Sequence, residues 1–395
     1  MDRHHRHHDV IVVGARAAGA ATALLLARRG VDVLVVDRTR YGSDTLSTHV
    51  LLRGAVLQLA RWGLLADVVA AGTPPVRRTT FHYGGQVVPV AVKAAHGVDA
   101  LYAPRRTILD RILIDAAVRA GAKVRFGVTA TGVLRDASGR VAGVALRDAD
   151  GRRIERRARY VIGADGLRSM VATSVGAPLE RRGQNASSTV YGYWSGVDTE
   201  GFEWNFRPEA VSGAMPTNGG ETCIFVSAPP RRVGPGGLDT LAHLVRRSSP
   251  ELAARLDAAP APSGVRTFVG QRGHLRRPWG AGWALVGDAG YFKDPLSTHG
   301  LTDALRDAEL LATAVLDALE GVDERDALAG YHRQRDALSL DLFEVVDAIA
   351  GHRWTDAEIG SLLILLSASM ADEVSVLAAR PTWPSRPEPV PAGAG

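Results

Sequence analysis

Val10 to Val13 is an apolar, β-branched run followed at once by Gly14-Ala15-Arg16-Ala17-Ala18-Gly19 and an Ala/Leu-rich stretch. A strand that turns sharply on glycine into a helix lets backbone amides approach a pyrophosphate, which then rests on the positive helix end. Gly14 and Gly19 fill the first and last glycine positions of such a turn. Arg16 stands where the middle glycine is usual, so its side chain must point away from the phosphates. Val31 to Val36 reads as a second strand ending in Asp37, 23 residues after Gly14, where a carboxylate can accept hydrogen bonds from ribose hydroxyls. Together these make a βαβ dinucleotide-binding unit; the alternative is a Gly/Ala-rich helix start that binds nothing.

Two further segments place an aspartate just beyond a buried strand. One is Gly163-Ala164-Asp165-Gly166-Leu167-Arg168-Ser169, and the other is Gly287-Asp288-Ala289-Gly290, continuing through Asp294-Pro295 to His299-Gly300-Leu301-Thr302. Either aspartate alone could simply cap the next helix. In the second segment Leu301, Leu305, Ala308, Ala312, Val315 and Leu319 mark one helix face beginning near Gly300. The free amides and partial positive charge of that helix end would stabilise negative charge beside it.

The elements that must position these residues read as an α/β domain interrupted by a β-rich insertion. The chain has 395 residues, 46% hydrophobic and 23% charged, which excludes disordered, collagen-like and coiled-coil classes. At roughly 150 residues per domain it holds two or three units. Helix-period residues recur at Leu52 to Trp62 and from Thr107 to Ala120, with a β-hairpin expected at Thr79 to Val92 around Gly84-Gly85. Turns at 136–139 and 148–151 mark a β-meander, and the aromatic stretch from Ser187 to Ala228 predicts an antiparallel sheet. After a strand near Trp283 the chain is mostly helical until Pro381, beyond which Pro-rich sequence should fray.

A single cysteine, Cys223, excludes an internal disulfide framework and a cysteine zinc site, and fits a reducing cytoplasm. The net charge is +5, with Lys93, Lys123 and Lys293 the only lysines. The arginines are dispersed among 42 acidic residues, so nucleic acid is not an expected partner. His4, His5, His7 and His8 read as a solvated tail, with no metal site expected. No secretory signal is expected, and the apolar run Leu362 to Leu366 is too short to span a bilayer.

The ordered set Gly14-x-x-x-x-Gly19, Asp37, Arg106, Gly163-Ala-Asp165-Gly166 and Gly287-Asp288 resembles the FAD-dependent group A monooxygenases of the para-hydroxybenzoate hydroxylase fold. That superfamily also holds geranylgeranyl reductases and flavin-dependent halogenases, and the resemblance spans roughly residues 9 to 350. It implies a Rossmann-like FAD domain made of residues 1–72, 101–180 and 265–330, and a β-sheet substrate domain of 73–100 and 181–264. Residues 331–380 would form C-terminal helices and 381–395 a tail. The resemblance implies FAD contacts at Gly14, Ala15, Ala18, Gly19, Asp37, Arg38, Arg106, Asp165, Asp288, Gly300 and Leu301. Arg105 could take the role of Arg106.

By the same resemblance, NAD(P)H would reduce FAD transiently without a second Rossmann unit. O2 would then form a flavin C4a-hydroperoxide that hydroxylates or epoxidises a hydrophobic or aromatic metabolite. Halogenation is disfavoured because the double-tryptophan motif is missing and Lys93 falls in an expected hairpin strand. Reduction of an isoprenoid-like or polyketide-like substrate is the alternative, since Leu46-Ser47-Thr48-His49 and Tyr291-Phe292-Lys293-Asp294-Pro295 look like the reductases. A non-enzymatic flavin-binding redox sensor is the remaining class. His49 and His299 are the candidate polar groups at the flavin-substrate junction, with a loop hydrogen bond the alternative for His299. Tyr191, Tyr193, Trp204, Phe206, Met215 and Pro216 are the candidate substrate wall, with sheet packing the alternative. Tyr191 and Tyr193 should share one strand face and Trp194 the other. The late helices could form a homodimer face or pack over a monomer.

Overall fold

The computed structural model describes residues 7–383. The first strand, His7–Val13, is buried on both sides because parallel strands flank it: Val33–Asp37 on one side and Arg153–Gly163 on the other. The sheet runs in the order Trp279–Gly280, Trp283–Leu285, Arg153–Gly163, His7–Val13, Val33–Asp37, Lys123–Phe126. The expected meander, Thr129–Arg135 and Val141–Arg147, pairs with the first half of Arg153–Gly163. His7 and His8 belong to this sheet rather than to a tail: His8 is buried, with Nδ1 3.0 Å from Asp32. His4 and His5 lie outside the described residues.

The helix Ala17–Arg28 is built of alanine and leucine, buried almost all round, because it is wedged between the sheet, the helix Arg106–Arg119 and the long helix Gly300–Leu319. Its small side chains permit that close approach.

The second sheet has seven strands in the order Val265–Phe268, Ser188–Ser195, Glu221–Ala228, Ala210–Pro216, Phe202–Arg207, Arg78–Tyr83, Gln86–Ala91. It departs from the expected all-antiparallel pattern at one seam, where Phe202–Arg207 runs parallel to Arg78–Tyr83. Val265–Phe268 also pairs into this sheet, with Ser188–Ser195, whereas residues from 265 onward are expected in the Rossmann-like domain. Pairing across the sheet decides membership, and a four-residue strand carries no local mark of its partner. One face of this sheet packs on the helices Leu238–Ser248 and Pro250–Ala258, with Trp194 among them. The other face carries Tyr191, Trp204, Phe206, Met215 and Phe225. Tyr191 and Trp194 thus lie on opposite faces.

The chain ends in two long helices, Glu324–Ala350 and Asp356–Ala379, the latter opened by a capping box between Thr355 and Glu358. The second of these has a mean hydropathy of 1.8 in its most apolar window, and is long and apolar enough to cross a membrane by length and composition alone. Leu362 to Leu366 gave too short a view of it. The helix is nevertheless tied to the fold through Ile359, Glu373 and Leu377, while Ile364 and Leu365 are 71% and 53% exposed. The start of the Pro-rich tail is docked as well: Trp383 Nε1 donates to Leu25 O at 3.1 Å.

Candidate active site

Gly14 has φ +109, and a Cβ there would lie 2.3 Å from Ala164 O, so the turn closes against the Gly163–Ser169 segment only with glycine. At Gly19 a Cβ would come 1.9 Å from Gly14 O, so bare backbone is needed where helix meets strand. Ala15 N donates to Asp37 Oδ2 at 2.7 Å, and Asp37 Oδ1 accepts from Thr39 N and Oγ1 at 2.7 and 2.6 Å. Asp37 therefore shapes the turn first, and Oδ2 keeps a lone-pair site for a ribose hydroxyl. Arg38 is exposed beside it.

Arg16 does turn away from the glycine turn. Its guanidinium reaches Asp110 Oδ2 at 3.0 Å and Ser43 Oγ at 3.0 Å. Asp110 in turn takes Arg106 at 2.9 Å, so one carboxylate fixes two arginines. This separates the two arginines in contention. Arg106 is buried, and its charge acts on Asp288. Arg105 lies on the other side, with its guanidinium 3.4 Å from the centroid of the Tyr193 ring.

Asp165 is spent locally: Oδ1 accepts from Ser169 Oγ at 2.5 Å, and Oδ2 accepts from Met170 N and Val171 N at 2.7 and 3.1 Å. Its side chain caps the helix Met170–Val175. The segment's contribution to the glycine turn comes from Ala164, whose carbonyl and methyl back Gly14 and Gly19.

Asp288 differs. It is open to solvent, and its carboxylate has no hydrogen bond or ion pair among the described residues. It is nonetheless set deep enough that desolvation pushes it up to about 6, against the pull of Arg106 and Lys293. Gly287 next to it faces Ala18, at 2.8 Å from a Cβ placed there, and then Ala304. Asp288 therefore sits between the first turns of the helices Ala17–Arg28 and Gly300–Leu319. The second helix lacks a side-chain cap at His299, and Gly300 is exposed with open space where a side chain would point. Leu301 beneath it is buried. A cradle only glycine can form, uncapped helix amides and an unpaired carboxylate between two helix ends fit a flavin dinucleotide.

The loop 43–49 is fastened to the second sheet. Ser47 N donates to Tyr191 OH at 3.1 Å, and His49 Nε2 lies 3.0 Å from Tyr193 OH with the two rings stacked. His49 Nδ1 faces Ala103 O at 3.0 Å, which makes Nδ1 the protonated nitrogen and Nε2 the acceptor of the Tyr193 proton. Burial, with Arg105 and Arg106 nearby, holds His49 down to about 3, so it is neutral at physiological pH.

Of the expected substrate wall, Tyr193 and Pro216 are partly open and Tyr191 is buried at the loop contact. Trp204, Phe206 and Met215 are packed shut: Trp204 and Phe206 stack 6.2 Å apart, and Phe206 meets Trp354 edge-on at 6.3 Å. Trp354, between the last two helices, gave no local sign of this role. Lys93 is exposed just past the strand Gln86–Ala91 rather than within it.

His299 is also fully engaged. Nδ1 lies 3.1 Å from Asp303 and Nε2 2.9 Å from Glu373, while Lys293 pairs with Asp303 and Arg306 reaches Glu373 at 2.8 Å. The trio His299, Asp303 and Glu373 has the spacing of a metal site, but Lys293 and Arg306 already supply the cations. The network pins the helix Asp356–Ala379 beneath the first turn of Gly300–Leu319. Desolvation lowers Lys293 to about 7. Asp303, one helical turn from His299, could have been found from its i, i+4 spacing, whereas Glu373 has no signal tying it there.

The FAD binding domain model matches residues 7–345. Digeranylgeranylglycerophospholipid reductase 1 of Methanopyrus kandleri is 28% identical over 356 residues, covering 87% of this chain and 89% of that relative. The 2,4-dichlorophenol 6-monooxygenase of Delftia acidovorans is 32% identical over 187 residues, 44% of this chain and 32% of the relative. The solved flavin-dependent brominase Bmp2 superposes with a TM-score of 0.79 at 18% identity, over 94% of this chain and 93% of its own, a likeness of fold alone. The chain belongs to the FAD binding domain family, a group A flavoprotein monooxygenase family, and is an FAD-dependent oxidoreductase.

Proposed function

We propose that the protein is an NAD(P)H-dependent monooxygenase that hydroxylates a hydrophobic or aromatic small molecule carrying a hydroxyl group. The observation that carries this reading is the His49–Tyr193 pair beside the aromatic sheet. Tyr193 gives its proton to His49, so its oxygen lone pairs are left to accept a hydrogen bond from a substrate hydroxyl. A histidine held near 3 does not store a proton, so the pair orients the substrate rather than acting as its base. Tyr191 holds the loop 43–49 through Ser47, which keeps His49 in place.

Bound FAD would supply the electron transfer from NAD(P)H and the activation of O2. On the other side, the amides after Gly14 and the Gly300 helix end would hold the cofactor, with Asp288 and Asp37 as hydrogen-bond acceptors for its hydroxyls. Arg106, fixed by Asp110, places positive charge beside Asp288. Asp165 supports this arrangement through its own helix cap. The overall change consumes substrate, O2, NAD(P)H and a proton, and yields hydroxylated product, water and NAD(P)+.

The second reading is a reductase, favoured by the relative that matches across most of the chain. Turnover of a phenol panel with NADPH under 18O2 separates them. One labelled oxygen per product supports the monooxygenase, and saturation of a carbon-carbon double bond without O2 supports the reductase.

A further inference from the structure

A cleft of about 1090 Å³ opens where the strand Leu179–Arg182, the end of the helix Glu324–Ala350 and the start of the helix Asp356–Ala379 meet. That size suits a small-molecule ligand. No residue placed against the cofactor, and neither His49 nor Tyr193, lines it. Its three carboxylates are already committed. Glu344 pairs with Arg181 at 2.9 Å, and Glu358 closes the capping box with Thr355. Asp347 accepts from Gln184 N and Asn185 N at 3.1 Å each, and from Asn185 Nδ2 at 3.0 Å. The chain wraps this carboxylate so closely that a Cβ on Gly183 would lie 2.3 Å from Asp347 Oδ1.

Two guanidiniums in the cleft are left without an acid. Arg353 meets only Asn185 Oδ1, at 3.0 Å, and the Arg182 side chain has no hydrogen bond or ion pair among the described residues. Arg353 is set in place beforehand, because Asp347 fixes Asn185 and Asn185 holds one of its donors. The backbone on either side of it is pinned as well. His352 takes the left-handed conformation, φ +51, with Nε2 3.1 Å from Ser187 Oγ, and Trp354 Nε1 donates to Ile349 O at 3.0 Å. A non-glycine residue held at positive φ marks a segment whose shape the fold enforces.

Beside these cations the lining is apolar. Phe343 and Trp354 are buried there and Leu362 is half-buried. Leu365, one helical turn beyond Leu362, is exposed with Ile364, so the apolar surface runs out of the cleft along the helix.

We infer that the cleft binds one amphiphilic anion, a carboxylate on a hydrocarbon chain, with its head group at Arg353 and Arg182 and its chain over Trp354 and Leu362. Planar guanidinium donors match the two oxygens of a carboxylate, and the chain removes apolar surface from water. A bilayer is the other occupant an exposed apolar helix could meet. Helices that lie on anionic bilayers carry Lys and Arg along the polar face, whereas 356–379 contains neither. The cations are gathered in the cleft, which suits a single head group.

The test is calorimetric titration of the FAD-loaded protein with decanoate, with decanol as its neutral counterpart and butyrate as its short one. Decanoate should bind at least about tenfold tighter than either. Arg353→Gln and Arg182→Gln, both at exposed positions, should each weaken decanoate, the first by about tenfold, and leave decanol and the flavin content unchanged. In sedimentation with phosphatidylglycerol and phosphatidylcholine vesicles the protein should stay in the supernatant. Decanoate bound no tighter than decanol or butyrate, or bound by Arg353→Gln as tightly as by the parent, would overturn the inference. So would vesicle binding that requires Arg353, since the occupant would then be a bilayer.

Discussion

The glycine-turn side of the site and the loop-and-sheet side are built by different means. Around Gly14, Gly19 and Gly300 the surface offered to a ligand is backbone, shaped by the lack of side chains and by helix ends. Around Tyr193, His49 and Arg105 it is side chain, and each group comes from a different element: a sheet strand, a loop, and the residue before a helix. Backbone surfaces bind what every relative shares, whereas side-chain surfaces can change without disturbing the fold. Relatives named as reductase and monooxygenase on one architecture are what this division leads one to expect.

The largest effect should come from the network that joins the two sides. Glu373→Ala leaves His299 and Arg306 short of a buried partner, and should cost about 3 kcal/mol in thermal or denaturant unfolding. A loss near zero would mean that the C-terminal helix does not support the ring-side helix. Gly14→Ala forces a side chain into backbone at positive φ and should cost about 2–3 kcal/mol, with loss of FAD. Retained flavin in that variant would show that the turn is not the cofactor cradle.

Asp288→Ala should weaken FAD by about 1.5–3 kcal/mol through a lost charge-assisted hydrogen bond, read as a shift in the dissociation constant. The same carboxylate predicts a pH dependence. Its value in the folded apoprotein is raised to about 6, so the charged acceptor is present above that pH and is lost as pH falls through it. FAD affinity should therefore drop by about tenfold between pH 7 and 5, and Asp288→Asn should abolish that slope. The smallest effect belongs to the other side: Tyr193→Phe removes one neutral hydrogen bond worth about 1 kcal/mol. It should raise KM for hydroxylated substrates without loosening FAD, and a variant that sheds FAD would erase the distinction between the two sides.

The same division explains what could be read in advance. Gly14, Gly19, Asp37 and Asp288 stand at fixed offsets from strands, so a local pattern reveals them. The alternation that puts Tyr191 and Trp194 on opposite faces is equally local. Asp165 carried the same pattern as Asp288 but ended as a helix cap, because spacing alone does not say whether nearby amides will consume a carboxylate. Trp354, Glu373 and the pairing of Val265–Phe268 depend on contacts across long stretches of chain, for which periodicity gives no signal. The bond of His299 to Glu373 has no local signal either, because Glu373 lies on the later helix Asp356–Ala379.

The most direct measurement is a flavin-fluorescence titration of the apoprotein with FAD, run beside Gly14→Ala and Asp288→Ala. The structure predicts one FAD per chain, bound tightly by the parent and weakly by both variants. A parent that binds no FAD, or variants that bind it as tightly as the parent, would contradict the assignment of the site.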